Sequence, residues 1–159
     1  MNTYVKPAAK MTGGNDIGLN HFVPAEFGKW WGLMSPELLR KLDKFRELWG
    51  DKVMISPVSG AIGRHLGHDD TSQHNVDKWG EVRGIDIFPK GLNASTKAKA
   101  IRCAKKAGFT GYGIYSDTKP SWMMHVDVRA DRTVSRPATW GRVSDAKGSK
   151  RYVGLGEVV

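Results

Sequence analysis

Strict alternation of apolar and polar side chains predicts a β-strand over residues 122–129. Successive side chains of a strand point to opposite faces, so the residues at positions 122, 124, 126 and 128 form one wholly apolar face. The other face carries Met123, His125, Asp127 and Arg129. We expect the apolar face to pack on a core, which leaves an imidazole, a carboxylate and a guanidinium together on the opposite face.

A second apolar run, residues 82–88, predicts another strand that contains Asp86 between Ile85 and Ile87. A carboxylate is unfavourable in such a strand, and if it is buried it needs a cation or a metal as partner. Gly84 shares the face of Asp86 and removes a side chain where another group could approach the backbone. This strand therefore also has an apolar face and a face suited to binding.

Helical signals flank these strands. Ser35 suits an N-cap, apolar residues then recur at helical spacing, and Gly50 stands where the helix should end. A second helix is expected from Asn93 or Ser95 to Ala107. Shorter elements are predicted between them: a helix over residues 24–31, a strand over 52–56, and a strand over 109–115 that leads through a turn at 117–121 into the strand of residues 122–129.

Three histidines, His65, His68 and His74, lie in a predicted loop over residues 57–78. A loop of this length in a small domain is usually functional or disordered. His74 precedes the Asp86 strand, and with His125 it completes two imidazoles and one carboxylate, a ligand set typical of catalytic Zn²⁺. The spacing of His65 and His68 is a weaker metal signal on a loop. The alternative for each histidine is a hydrogen-bonded structural role.

Several motifs occur in a fixed order along the chain: Ser-x-His ending at His74, Gly-x-Asp ending at Asp86, Tyr-Gly-Ile-Tyr ending at Tyr115, and His-Val-Asp-Val-Arg ending at Arg129. With His21, residues 26–28, residues 46–50 and residues 59–60, this order resembles the zinc D-alanyl-D-alanine carboxypeptidases and related peptidoglycan endopeptidases. Their superfamily includes the hedgehog-type signalling domain. The resemblance covers residues 20–129 and implies an α+β fold, a small antiparallel sheet with helices packed on one side.

The chain departs from the family pattern in three places. The segment from His74 to Asp86 is longer, with an insertion expected within residues 75–81. The family arginine that closely follows the Ser-Gly pair is absent, and Arg64 is the nearest candidate. Trp122 stands three residues before His125, where many members carry a catalytic Glu or Asp.

The resemblance implies that His74, Asp86 and His125 hold Zn²⁺. Because the usual family acid is missing, Asp127, on the same strand face as His125, is the candidate for proton transfer, with Asp117 as the fallback. An exchange of roles, with Asp127 on the metal and His125 as the acid and base, stays open at this point.

Substrate contacts are predicted from two arginines and a serine. Arg64 or Arg129 could bind a substrate carboxylate through a bidentate pair, and the alternative for Arg129 is a surface pair with Asp127. Ser72 is expected to orient His74 or to contact substrate, and a turn-capping role is equally open.

Length, composition and charge bear on the domain organisation of the chain and on its partners. The chain has 159 residues, with 40% hydrophobic residues, which fits one domain over residues 1–159. Residues 1–19 are predicted to form a loose arm, and residues 130–159 a basic extension. The net charge is +9, from 25 Lys and Arg against 16 Asp and Glu, which favours anionic partners such as cell-envelope polymers. Charge is the sole argument for nucleic acid, so that partner is disfavoured.

The function predicted from the sequence is a zinc-dependent peptidase that cleaves the stem peptide of bacterial peptidoglycan. A basic form without an apolar signal stretch in residues 1–14 or a transmembrane run is similar to a bacteriophage endolysin or virion-associated lysin. The expected location is the host cytoplasm with release to the wall at lysis, or the virion. The alternative is a non-catalytic phage structural or peptidoglycan-binding protein that keeps the fold.

Overall fold

The computed structural model describes residues 17–159 and places helix α1 at Pro36–Trp49. The Oγ atom of Ser35 accepts a hydrogen bond from the backbone N–H of Leu38, and Gly50 adopts the left-handed conformation that ends the helix. Capping, apolar face and stop signal thus act as the sequence predicted. The arm predicted over residues 1–19 lies almost wholly outside the described residues.

The remaining regular elements alternate between strand and helix as far as the strand Gly111–Tyr115, after which three further strands follow. In chain order they are β1 Val53–Ile55, α2 Val76–Trp79, β2 Gly84–Pro89, α3 Lys97–Ala107, β3 Gly111–Tyr115, β4 Met123–Asp127, β5 Ala138–Ser144 and β6 Lys150–Val153. Short 3₁₀ helices cover Pro24–Leu33 and Leu155–Glu157. Among residues 17–159, no helix is both long and apolar enough to cross a membrane.

The six strands in the described part of the chain form one sheet in the order β1-β2-β4-β3-β5-β6. Neighbouring strands are antiparallel except β3 and β5, which are parallel. Asp127 at the end of β4 and Ala138 at the start of β5 both pair with Gly111, the first residue of β3. Because β5 therefore starts at the same edge of the sheet as β3, the two strands run parallel. The α+β fold is confirmed, and the sheet is antiparallel in all but this one pair.

One face of the sheet carries the hydrophobic core. Ile85, Ile87, Tyr112, Ile114, Met124 and Val126 from the three central strands are completely buried. They form one cluster with the apolar faces of α1 and α3. The helices therefore cover this face, and the alternate residues of the same strands lie on the opposite face, which we call the cleft face.

The sheet extends into the basic C-terminal residues. Residues 130–159 were predicted only as a basic extension, and they supply β5 and β6. Trp140 pairs with Gly113 in β3, and Tyr152 pairs with Arg142 in β5. The β5–β6 hairpin thus places its side chains beside the central strands.

Candidate metal centre

One row of residues across the cleft face holds most of the candidate chemistry. Asp86 in β2 pairs with His125 in β4. On its other side His125 pairs with Gly113 in β3, which pairs in turn with Trp140 in β5. Strands in a sheet are about 4.8 Å apart, so side chains along this row are close enough to touch. Nδ1 of His125 lies 3.0 Å from Oδ1 of Asp86.

His74 reaches the same point from the loop before α2. Its Nδ1 atom lies 2.8 Å from the carbonyl oxygen of Ile62. A carbonyl oxygen only accepts hydrogen bonds, so Nδ1 carries a ring proton, and in the neutral ring that metal binding requires Nε2 is the bare nitrogen. Nε2 lies 3.4 Å from Oδ1 of Asp86. His74 is therefore oriented as a metal-binding histidine is, with one nitrogen held by the backbone and the other free for a ligand bond.

Asn75 holds the loop that carries His74. It is fully buried, and its Nδ2 atom donates to the carbonyl oxygens of Gly67 and Asp70 at 2.7 and 2.8 Å. Its Oδ1 atom accepts from the backbone N–H groups of Leu66 and Asp77. The segment expected to be an insertion therefore begins with the residue that fixes the loop and caps α2.

His74, Asp86 and His125 form a compact, buried group. Their exposed fractions are 4, 8 and 6%, and one ligand atom from each lies within 4.8 Å of the other two. Two imidazole nitrogens and one carboxylate oxygen are donors that Zn²⁺ binds, and three protein ligands leave a fourth position for water or substrate. The donor chemistry and its burial therefore fit a catalytic zinc ion.

Asp127 lies on the far side of the His125 ring from Asp86. Its Oδ2 atom is 2.7 Å from Nε2 of His125, whereas Asp86 is next to Nδ1. Arg129 donates to Asp127 from Nε at 2.9 Å and from Nη2 at 2.6 Å. Asp127 is 0% exposed and is not among the residues that line the cleft. Its carboxylate is thus enclosed between His125 and Arg129.

Hydrogen bonds within this cluster stabilise the charged forms of Asp86, His125 and Asp127, which burial alone would disfavour. Burial would raise the pKa of Asp86, but hydrogen bonds from His125 and His74 hold that pKa well below its usual range. Burial would also raise the pKa of Asp127, but hydrogen bonds from Arg129 and His125 hold it well below its usual range. Burial would lower the pKa of His125, yet its two carboxylate partners raise it to about 9. A histidine ligand must be neutral, so metal binding near neutral pH requires His125 to lose a proton.

Two glycines of β3 make room for this arrangement, Gly111 just before the Tyr-Gly-Ile-Tyr motif and Gly113 within it. A Cβ atom at Gly111 would overlap the carboxylate of Asp127, and one at Gly113 would overlap the indole of Trp140. Because β3 lacks side chains here, Trp140 reaches across it to His125, and the two ring centres are 5.3 Å apart. Trp140 also donates from Nε1 to the Tyr115 hydroxyl oxygen at 2.7 Å.

Comparison with protein families identifies the chain. A family model described as Peptidase M15 matches residues 10–127, which is more than half of the sequence. The chain belongs to the peptidase M15 family. Searches of curated proteins and of solved structures found no significant match. The resemblance to zinc D-alanyl-D-alanine carboxypeptidases is thereby confirmed, and the protein is a zinc-dependent metallopeptidase of the peptidoglycan type.

The other predicted contact residues of this M15 peptidase surround the metal centre. Arg64 lines the cleft, donates from Nε to the carbonyl oxygen of Gly60, and places Nη2 3.9 Å from Oδ2 of Asp86. Arg129 lines the cleft beyond Asp127. Oγ of Ser72 accepts a hydrogen bond from the backbone N–H of His74 at 3.2 Å. Ser72 thus orients the backbone of His74 and also borders the cleft.

His65 and His68 lie away from this group. Both are exposed, and their Nδ1 atoms are next to the side chain and the backbone carbonyl of Asp77. Trp122, at the position of the usual family acid, is half-buried and packs against the core. None of the three belongs to the metal-binding group that the described residues form.

Apart from Asp117, the sequence did not predict the side of the cleft opposite the metal group. The cleft has a volume of about 740 Å³, and beyond the metal group it is bordered by Tyr115, Asp117, Lys119, Trp140, Arg142, Lys150 and Tyr152. Four of these residues belong to the β5–β6 hairpin, which lies outside the family match. The sequence signal that could have revealed it is the period-two spacing of Trp140, Arg142 and Ser144, which would place the three side chains on one face of a strand.

Proposed function

We propose that this M15 peptidase hydrolyses a peptide bond in the stem peptide of bacterial peptidoglycan. The observation that carries the proposal is the buried His74–Asp86–His125 group on the floor of a cleft large enough for a peptide. Pockets of about 300–1,000 Å³ are typical of small-molecule and cofactor sites. A bacteriophage lysis enzyme or virion-associated lysin is the biological setting we propose, since the net charge of +9 suits an anionic cell wall.

His74, Asp86 and His125 would hold the zinc ion, His74 through Nε2 and His125 through Nδ1. Bound zinc supplies a Lewis acid for the scissile carbonyl and a water of lowered pKa. The protein contributes the orientation of its ligands. The carbonyl of Ile62 fixes the ring of His74, and Asp127 fixes the ring of His125.

Asp127 is a positioning residue in this proposal. A carboxylate bonded to the second nitrogen of a histidine ligand fixes the tautomer and increases the basicity of the ligand. Asp127 occupies that position, and Arg129 keeps its carboxylate in place. Because Asp127 is fully buried behind His125 and does not line the cleft, its carboxylate is not placed to take a proton from a water molecule there.

For proton transfer we propose Asp117 instead, because it borders the cleft, although its side chain is only 1% exposed. Of the two carboxylates considered for this step, Asp117 lines the cleft and Asp127 does not. Asp117 follows β3 and accepts hydrogen bonds from Nε of Arg142 at 2.9 and 3.2 Å. A positioned carboxylate can take a proton from water and pass it to the leaving amine.

Digestion of purified peptidoglycan tests the proposed activity. The zinc-loaded protein should release fragments whose new termini, identified by mass spectrometry, define the cleaved bond. His125→Ala should abolish the release, because it removes a metal ligand. A folded, zinc-loaded protein that produces no new termini would favour the non-catalytic alternative, and retention on insoluble peptidoglycan would then identify a binding module.

A further inference from the structure

Arg142 is held in the cleft in a way that suits recognition. It lies in β5, and its Nε atom donates to both oxygens of Asp117. The guanidinium carbon lies 4.6 Å from the centre of the Tyr115 ring. The side chain is 16% exposed and borders the same cleft as the metal group. These contacts restrict the rotamers of the arginine, so little conformational entropy remains to be lost on binding.

The hydrogen bonds to Asp117 occupy one edge of this guanidinium. They use Nε, and the Tyr152 hydroxyl also interacts with the guanidinium. An arginine carries four N–H groups on its two Nη atoms, in a planar arrangement that matches a carboxylate, so donors remain for a ligand beside Tyr152. Arg142 also differs in position from Arg64 and Arg129. Those two contact Asp86 and Asp127, whereas Arg142 lies two strands away from β4, on the side of the β5–β6 hairpin.

The charge of the cleft favours an anionic ligand on this side. Among residues 17–159, five cationic side chains line the cleft against two carboxylates; they are Arg64, Lys119, Arg129, Arg142 and Lys150, against Asp86 and Asp117. Three of the five lie around the β5–β6 end, on the hairpin itself or on the loop after β3. Their charges reinforce one another where the low-dielectric walls of a cleft concentrate the field.

We propose that Arg142, assisted by Lys150, forms a subsite for a carboxylate of the peptide substrate on the β5–β6 side of the metal centre. This inference rests on the proposed peptidase function and adds the residues that would recognise a substrate carboxylate beyond the scissile bond. The family match ends at Asp127, so the subsite belongs to a part of the chain that family membership does not describe.

Steady-state kinetics of the zinc-loaded full chain test the subsite. The substrates are a soluble stem peptide with free carboxylates and two versions of it, one amidated at the α-carboxylate of D-Glu and one at the C-terminus. Arg142→Gln should raise KM about 10- to 100-fold on the fully acidic peptide, the range for loss of a charge-assisted hydrogen bond. On the version that lacks the recognised carboxylate, wild type and Arg142→Gln should have the same KM.

A second variant guards against a folding defect, because Arg142→Gln leaves Asp117 without its partner. Lys150→Gln removes an exposed cleft charge, and Lys147→Gln removes a lysine of the same hairpin that does not line the cleft. Lys150→Gln should raise KM about 2- to 10-fold on the acidic peptide, whereas Lys147→Gln should not change it. The proposal would be overturned if each of Arg142→Gln and Lys150→Gln changed KM equally on the acidic and the amidated peptides, while zinc content and unfolding temperature stayed at their wild-type values.

Failure of the peptidase proposal gives a different result. Wild-type protein would then cleave none of the three peptides, and calorimetric titration of the uncleaved acidic peptide would measure the subsite directly. Weaker binding to Arg142→Gln and Lys150→Gln than to wild type supports the subsite. Unchanged binding to both variants, or no binding to wild type, overturns it.

Discussion

Substitution of Asp127 by asparagine separates a positioning role from proton transfer. Asp127 accepts four hydrogen bonds, one from Nε2 of His125 and three from Arg129. An asparagine keeps one acceptor oxygen and places an NH₂ group where the other oxygen was. Whichever way the amide is turned, a donor of His125 or Arg129 then faces another donor, and Arg129 loses the charge that neutralises it.

Asp127→Asn should lower both the free energy of unfolding and the affinity for zinc, and the structure indicates the size of each loss. Removal of one member of a buried ion pair costs about 3–5 kcal/mol. The Arg129 side chain is 23% exposed and can regain some water, so we expect Asp127→Asn to lower the free energy of unfolding by about 2–4 kcal/mol. Loss of a carboxylate behind a histidine ligand weakens metal binding by about 10- to 100-fold. We expect that loss in zinc affinity, with most of the activity restored at saturating zinc.

Asp117→Asn is the matched control, because Asp117 is also a buried aspartate paired with an arginine. The side-chain exposures are 0% for Asp127 and 23% for Arg129, against 1% for Asp117 and 16% for Arg142. Asp117 does not contact His125, so its substitution should leave zinc affinity unchanged. If Asp117 transfers the proton, kcat should fall by about 10²- to 10⁴-fold at full zinc occupancy.

The assay is a competition titration with a chromogenic zinc chelator, followed by kinetics at saturating zinc. Normal zinc affinity in Asp127→Asn combined with a 10²- to 10⁴-fold lower kcat would refute the positioning role and return proton transfer to Asp127. An empty metal site in Asp127→Asn, together with a filled site in His125→Ala, would show that the two residues exchange roles.

Three further predictions concern the metal site, binding to the bacterial cell wall, and the packing of Trp140 on Gly113. His74→Ala should lose zinc whereas His65→Ala keeps it, as measured by elemental analysis; equal zinc content in both would place the metal elsewhere. Hydrolysis of intact wall should fall with added salt more than hydrolysis of a soluble peptide, because exposed charges are screened, and equal salt sensitivity would argue against wall binding through charge. Gly113→Ala should lower the free energy of unfolding by about 1–3 kcal/mol by displacing Trp140, whereas Gly156→Ala, with open space at its Cβ position, should be close to neutral in thermal unfolding.

The sequence by itself determined the elements whose signals are local. The N-cap Ser35, the apolar spacing and the stop at Gly50 delimit α1 within one stretch of chain. Alternation assigned His125 and Asp127 to the face of β4 opposite the core, and the structure has them there. These features depend on residues close in sequence, where backbone geometry alone decides which side chains share a face.

Only the tertiary structure decided what each of these side chains contacts. Alternation places His125 and Asp127 on one face but does not tell which ring nitrogen meets Asp86 and which meets Asp127. Their contacts depend on the register of β2 against β4, 39 residues apart in the chain. The same holds for Trp140, whose bond to Tyr115 spans 25 residues and requires the parallel pairing of β5 with β3. No local preference encodes such a pairing, because it depends on the burial that the complete sheet and its helices achieve together.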